Sequence, residues 1–384
     1  MSHSRLALVS NFRTEASPSM LVCGDRLFDS LRLDHPELTV DRIQPAYARM
    51  ATRVPRLPLL HRLTGGADKM LNRYWLYPRH LRQWREAFDA FHICDHSYAS
   101  LVHALPAARV GVFCHDVDVF RSVLQPALYP RSPRYNAMQR YALAGLARAA
   151  IVFHTTEAVR AELLGFSLVA PERLVQVPLG VDPSFHPAEP GQSTTSRLAH
   201  QVGERPYLFN VSVTLPRKRL DVLLRSFALV RRQRPDLLLV RVGPDWTADQ
   251  QQLIKDYCLA DGIRRIPRLD QNDLVSFYQR AAAVLMTSES EGFGMPLIET
   301  LACGAIPVVS DIPVFHEVAG EAALYCPVGV PEAWAERLTQ LLNDPSTAPS
   351  AALRAERVRR FTWTAHAEAI AKAYRSRILE RSEE

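Results

Sequence analysis

No run of eighteen apolar residues occurs in this 384-residue chain, so no helix is expected to cross a membrane. The six cysteines, at 23, 94, 114, 258, 303 and 326, form no CxxC pair and no cluster with histidine at zinc spacing. Several stand inside apolar runs, where a free thiol behaves as a small hydrophobe; buried thiols are expected, not a metal or redox centre. The start, "MSHSRLALVSNF", is too short and polar for a signal peptide. The expectation is a soluble, cytoplasmic protein. Internal repeats and coiled-coil heptads are also missing.

Acidic residues are scarce in one stretch. Between Arg42 and Arg85 there are nine Arg and one Lys against a single acid, Asp68. Tyr47, Tyr74, Trp75, Tyr77 and Trp84 lie among them, in "RVPRLPLLHRL" and "NRYWLYPRHLRQWR". Such a stretch suits an anionic membrane face or a phosphorylated acceptor, and less well nucleic acid. It reads equally as a solvated face over ordinary core aromatics. No nucleic-acid partner is expected; peripheral contact of 42–85 with the inner membrane face is kept open.

What is present is a large apolar fraction, 47%, with 22% charged residues and a net charge of +6. That is enough for two cores. Short β-branched runs alternate with longer helical patterns: "LALVS", "VGVFC", "AIVFH", "YLFNVSV", "LLLVRVG", "AAVLMTS" and "AIPVVS". Continuous apolar runs of this length are the mark of strands covered on both faces, so the class is α/β with parallel sheets. "HPAEPGQSTTSRLAHQVGERP" is polar and rich in Pro, Gly, Ser and Thr, as a linker should be. The division expected is 1–188, a linker at 189–205, 206–361, and a helix at 362–384 that packs back toward the first domain. Two doubly wound domains bind ligands at the carboxyl ends of their strands, in an interdomain cleft.

The chemistry concentrates in "SESEGFGMPLIETLACGAIPVVS", residues 288–310. A strand ends near Ser288, and glycines at 292 and 294 permit unusual backbone angles and close approach to a ligand. Pro296 suits the first turn of a helix, and Gly304 its end. Glu291 then stands in the turn and Glu299 about one turn into the helix. The helix N-terminus favours an anion such as a diphosphate. A carboxylate farther along can accept two hydrogen bonds from ribose hydroxyls. Taken singly, each glutamate would read as an ordinary turn or first-turn acid.

The surrounding residues say more. "EGFGMPLIETLACGAIPVVSDIPVFHEVAGEAALYCP" closely resembles the C-terminal signature of the GT-B glycosyltransferases of family 4, with Glu291 and Glu299 as that family's E-x7-E pair. "VPLGVDPSFHP", "LPRKRLDVLLRSFALV" and "FTWTAHAEAI" agree in order, as do "VGVFCHDVDVF" and "AAIVFHTTEAVRAELL" nearer the start. From about residue 105 the resemblance is nearly continuous; before that it is weak.

The resemblance implies two Rossmann-like domains and a sugar moved from a nucleotide-sugar donor, with retention of configuration, to a glycan, lipid-linked or small-molecule acceptor. Polysaccharide or glycolipid synthesis, by a mannosyl- or glucosyltransferase, is the setting implied. It makes Glu299 the ribose ligand, Glu291 the acid near the donor sugar, Lys218 the cation on the diphosphate, and His115 a residue that reaches the sugar. Donor contacts are implied for Ser212, Arg217, Arg219 and the run Gly292, Phe293, Gly294, Met295, Pro296 and Leu297. A compact ammonium can stabilise a departing diphosphate as a metal does elsewhere. Neither metal nor cofactor is expected beyond the co-substrate. The "DVD" at Asp116–Asp118 resembles a metal motif, but roughly one such triplet arises by chance in this length.

The sequence also departs from the family pattern. Ser212 and Val213 stand where Gly-Arg is usual, leaving Arg217 or Arg219 to supply the second positive charge. "NFRTEASPSM" replaces the glycine-rich loop after the first strand. A non-catalytic nucleotide-sugar-binding partner, or an epimerase or hydrolase that consumes the donor without an acceptor, are the alternatives.

Overall fold

Twelve strands form two separate six-stranded parallel sheets in a computed structural model that describes residues 4–15, 18–50, 66–189, 191 and 195–380. The part of the basic stretch at 51–65 lies outside the described residues. The chain divides into two units: one runs to Gly180 and resumes at Trp363, the other is Val181–Thr362.

The first unit contains β1 (Ser4–Val9), β2 (Leu38–Ile43), β3 (Ala90–Ile93), β4 (Val110–Cys114), β5 (Ile151–His154) and β6 (Leu174–Gln176), in the order β2-β1-β3-β4-β5-β6. The second contains β7 (Tyr207–Val211), β8 (Leu238–Val242), β9 (Ile263–Ile266), β10 (Ala283–Met286), β11 (Pro307–Ser310) and β12 (Leu324–Cys326), in the order β12-β11-β10-β7-β8-β9. Every residue of β3, β4, β5, β8, β10 and β11 is buried, as strands covered by helices on both faces require. The winding reverses between β1 and β3 in the first sheet and between β7 and β10 in the second. At such a reversal the loops leave in opposite directions and open a crevice at the carboxyl end.

Three expectations differ from the structure. The segment 189–205 is not simply a linker, because Ser196–Val202 is a helix. Thr195 caps it by accepting from Leu198 N–H, and Leu198 and Val202, four residues apart, are buried. The first boundary also falls at Gly180–Val181, before the segment that the composition marked. Nor are all thiols buried: Cys258 is exposed, at the end of a helix where its φ is +53°.

The helix Trp363–Tyr374 belongs to the first unit and packs on the helix Pro18–Asp34. The Tyr374 hydroxyl donates to the Phe91 carbonyl at 2.9 Å and lies 3.1 Å from His92 Nδ1. Gly111 is obligatory beneath it, since a Cβ there would stand 2.3 Å from the Tyr374 hydroxyl oxygen.

The basic aromatic stretch splits in two. Tyr77 is fully buried, and its hydroxyl donates to the carbonyls of Ser10 and Ile43. Trp75 is 58% exposed, with the Arg79 guanidinium 5.3 Å from its ring centre. Among the described residues no helix is long and apolar enough to cross a membrane.

Candidate functional site

The second unit gathers charge at its own winding reversal. β7 leads through Ser212 to a short 3-10 turn, Pro216–Lys218, and β10 leads through Thr287 to the glycine turn. The two crests are tied together: Thr287 Oγ1 donates to the Lys218 carbonyl at 2.9 Å, and Glu289 N–H donates to the Arg217 carbonyl at 2.8 Å. Beneath them, the Asn210 side-chain amide donates to the Leu285 carbonyl, joining β7 to β10.

Glu291 sits at the centre, its side chain 10% exposed. Lys218 Nζ is 2.5 Å and Ser288 Oγ 2.7 Å from its Oε1; Arg217 Nη1 is 3.0 Å from its Oε2. Burial alone would raise the carboxyl, but Lys218 and Arg217, with the Ser288 bond, hold it below the usual range. The group is therefore an ionised carboxylate shared by two cations, with a net charge of +1.

Of the two candidate arginines, Arg217 is the one at Glu291. Arg219 turns away, and its guanidinium makes a paired contact with Asp221, both bonds at 3.0 Å, and reaches Glu289 at 3.4 Å. Its backbone is left-handed, with φ +46° and ψ +48°, where it starts the helix Leu220–Arg231. A side chain there costs about 1 kcal/mol or more, and the Asp221 pair helps hold the conformation.

Gly294 enters the next helix, Met295–Ala302, with φ +89°. A Cβ at that position would lie 2.9 Å from Phe315 Cε1, so both conformation and space demand glycine. Phe293 and Leu297 are buried, Phe293 edge-on to Phe361 at 5.5 Å. Their side chains belong to the core, so a donor contact at Phe293 or Leu297 falls to the backbone. Met295 and Pro296 are half-buried at the helix start. Ser212 Oγ donates to Asn210 Oδ1 at 2.6 Å, and the Ser212 carbonyl accepts from the fully buried Arg241.

Glu299 lies one turn into that helix, half-buried, and its Oε2 accepts from the Tyr278 hydroxyl at 2.8 Å. Burial pushes its pKa up to about 7, with Asp182 adding to the rise and the Tyr278 bond opposing it. Tyr278 was missed from sequence: nothing in "DLVSFYQR" separates a hydroxyl aimed at a carboxylate from an ordinary core tyrosine.

His115 lies in the first unit, directly after β4, and is buried. A carbonyl can only accept, so its Nε2–H must donate to the Cys94 carbonyl at 3.0 Å. That leaves Nδ1 as a bare acceptor with no partner among the described residues. Burial lowers its pKa, favouring the neutral ring. The "DVD" residues are used locally: Asp116 Oδ1 accepts from Asp118 N–H at 3.0 Å, and Asp118 stands 3.5 Å from Arg121.

A family model described as glycosyl transferases group 1 matches residues 194–359, and one described as Glycosyltransferase Family 4 matches residues 36–185. A D-inositol 3-phosphate glycosyltransferase from Kineococcus radiotolerans is 32% identical over 60% of this chain, and the match spans only 58% of that protein. The O-antigen chain mannosyltransferase B of Escherichia coli is 25% identical over 75% of each chain. Among solved structures, Anabaena HepE in complex with UDP and glucose superimposes with a TM-score of 0.73 at 15% identity, over 97% of this chain and all of that one. Sucrose-phosphate synthase from Thermosynechococcus elongatus gives 0.72 at 17% identity, over 97% and 98%. At these identities the structural matches establish the fold.

Proposed function

Because the chain belongs to the family 4 glycosyltransferases of GT-B fold, we propose that it transfers a sugar from a nucleotide-sugar donor to an acceptor hydroxyl, with retention at the anomeric carbon and without a metal. The observation that carries this is the cluster of Lys218, Arg217 and Glu291 on the turn that opens the helix bearing Glu299. In the transfer, the bond from the anomeric carbon to the diphosphate oxygen breaks and one to the acceptor oxygen forms. The acceptor proton passes to the departing diphosphate, so no enzymic nucleophile is required.

Charge grows on the diphosphate as that bond breaks. Lys218 and Arg217 are already fixed by Glu291 before the donor arrives, so little reorganisation is needed when the charge develops. Glu299 takes the ribose hydroxyls, and the neutral His115 accepts a sugar hydroxyl through Nδ1. Support for a uridine donor comes from HepE, whose structures hold UDP or UDP-glucose. For the acceptor, the relatives named for inositol phosphate and for O-antigen mannose support a polyol or glycan hydroxyl.

A thermal-shift screen against UDP-, GDP-, ADP- and dTDP-sugars, with EDTA present, tests the reading. A donor at a hundredfold excess over its dissociation constant should add about 2.7 kcal/mol of stability, and Lys218→Ala should erase the gain. If no donor shifts the wild type, the transfer reading fails. Release of free sugar or an epimer, with no transfer to any acceptor, would replace it by hydrolysis or epimerisation.

A further inference from the structure

We infer that the first unit carries a subsite for an uncharged sugar ring, built from Asn11, Glu15, Arg73, Tyr98, Tyr74 and Tyr141, and that it receives the acceptor's terminal residue. This rests on the proposed transfer reaction and names the class of acceptor.

The position comes from topology. Asn11 and Glu15 lie in the loop after β1, and Tyr98 lies in the segment after β3. These strands are neighbours at the winding reversal of the first sheet, where a doubly wound unit opens its crevice. The loop is "NFRTEASPSM", the segment that stands in place of a glycine-rich turn.

The unmet hydrogen-bonding capacity comes from the side chains. Glu15 is 7% exposed, and its Oε2 accepts from the Tyr98 hydroxyl at 3.0 Å. Arg73 Nε stands 3.9 Å from the same oxygen, too far for a hydrogen bond, and the guanidinium is already used by Ser97 and by the Tyr98 ring, 4.0 Å away. Glu15 Oε1, Asn11 Oδ1 and Arg73 Nε are all buried without a partner among the described residues. Buried polar atoms of this kind are scarce in folded proteins, because each gives up its hydrogen bonds to water and gains none in return. Here three stand at one crevice, two acceptors and one donor. That is the complement of adjacent sugar hydroxyls, each of which can donate and accept.

The rings supply the rest. Tyr74 lies 6.3 Å from Tyr141, which is 47% exposed and stacks on His103 at 4.3 Å. Tyr74 follows Arg73 in the chain, and burial raises its hydroxyl, with Arg73 opposing and Glu15 adding a smaller rise. Tyr98 at the buried acid and the exposed Tyr141 beside Tyr74 are rings suited to the apolar face of a pyranose. The ring should be uncharged: a phosphate or carboxylate would meet Glu15, and Arg73, with Ser97 on its Nη2, offers it only the single Nε–H.

Saturation-transfer NMR on the full chain tests this, with methyl α-mannoside, α-glucoside and β-galactoside at millimolar concentration beside mannose 6-phosphate and glucose 6-phosphate. At least one neutral pyranoside should receive saturation on its ring protons, and the phosphates none. Glu15→Gln should weaken that binding about tenfold, the scale of one hydrogen bond to a charged group. Tyr141→Ala, at an exposed position, should weaken it without unfolding the protein. Silence from all three neutral sugars, equal binding of the phosphates, or no change in either variant overturns the subsite. If the UDP-sugar thermal shift persists meanwhile, only the subsite falls; loss of that shift is a failure of the transfer reading itself.

Discussion

Glu299→Gln keeps the side chain's shape and can still accept from the Tyr278 hydroxyl, but it removes a carboxyl that burial has pushed up to about 7. In the unfolded chain the same carboxyl titrates at its ordinary 4.5. The folded state therefore binds the proton more tightly than the unfolded one. The stability this group contributes is whole below pH 4.5 and is lost as pH rises through 7. The full difference amounts to about 3 kcal/mol. Glutamine has no proton to lose, so at pH 8 the variant should be more stable than wild type by up to about 3 kcal/mol, with the gap closing toward pH 5. Urea unfolding of both proteins from pH 5 to pH 8 measures it. Binding should move the opposite way. Ribose hydroxyls donate to the ionised form, so donor affinity of the wild type should rise about tenfold per pH unit up to pH 7 and then level. In Glu299→Gln it should be weak and flat. A variant less stable than wild type at pH 8, or a wild-type affinity that ignores pH, refutes the reasoning.

Two other outcomes follow from buried geometry. Gly294→Ala forces a side chain into φ +89° and against Phe315; it should cost about 1–3 kcal/mol by urea midpoint and weaken the donor shift. An unchanged midpoint would show that the turn relaxes freely. In the first unit, burial pushes His92 down to about 3 and His366 down to about 4, so both fold as neutral rings. Their stability is present above pH 6.5 and is lost as pH falls toward those values, about 2 kcal/mol each by pH 5. That sign is opposite to Glu299's. Unfolding followed at pH 7, 6 and 5 should show it, and His92→Phe should remove its share of the slope.

Sequence reading found the strands that are apolar on both faces and overlooked β2, β6, β9, β12 and β3. Four of these are sheet edges. An edge strand has one neighbour and a wet side, so it carries polar residues: β2 alternates buried and exposed, and β9 reads "IRRI". β3, at four residues, is too short to announce itself. At the candidate site, Glu291, Glu299 and Lys218 were legible because glycine, proline and helix positions fix their places within a few residues. The choice between Arg217 and Arg219 was not. It turns on the left-handed backbone at Arg219, which no local residue preference foretells. That the Phe293 and Leu297 side chains turn into the core was not legible either, because a core residue beside a ligand turn looks the same in sequence as a wall residue. Glu15 went unread for a different reason: its meaning depends on Tyr98 and Arg73, brought to it only by strand order.

The helix Trp363–Tyr374 also bears on how the chain is made. Tyr374 fills the space above Gly111 and bonds the backbone of β3, yet it is synthesised only after the entire second unit. The whole of Val181–Thr362 must emerge before it. At 5–20 residues per second that is roughly ten to forty seconds. During that interval the second unit can close on its own core while the first waits on the ribosome, its central strands laid down but unsealed. The order of completion is thus the reverse of the order of translation, and any chaperone serving this protein meets the N-terminal half as its longest-lived unfinished surface.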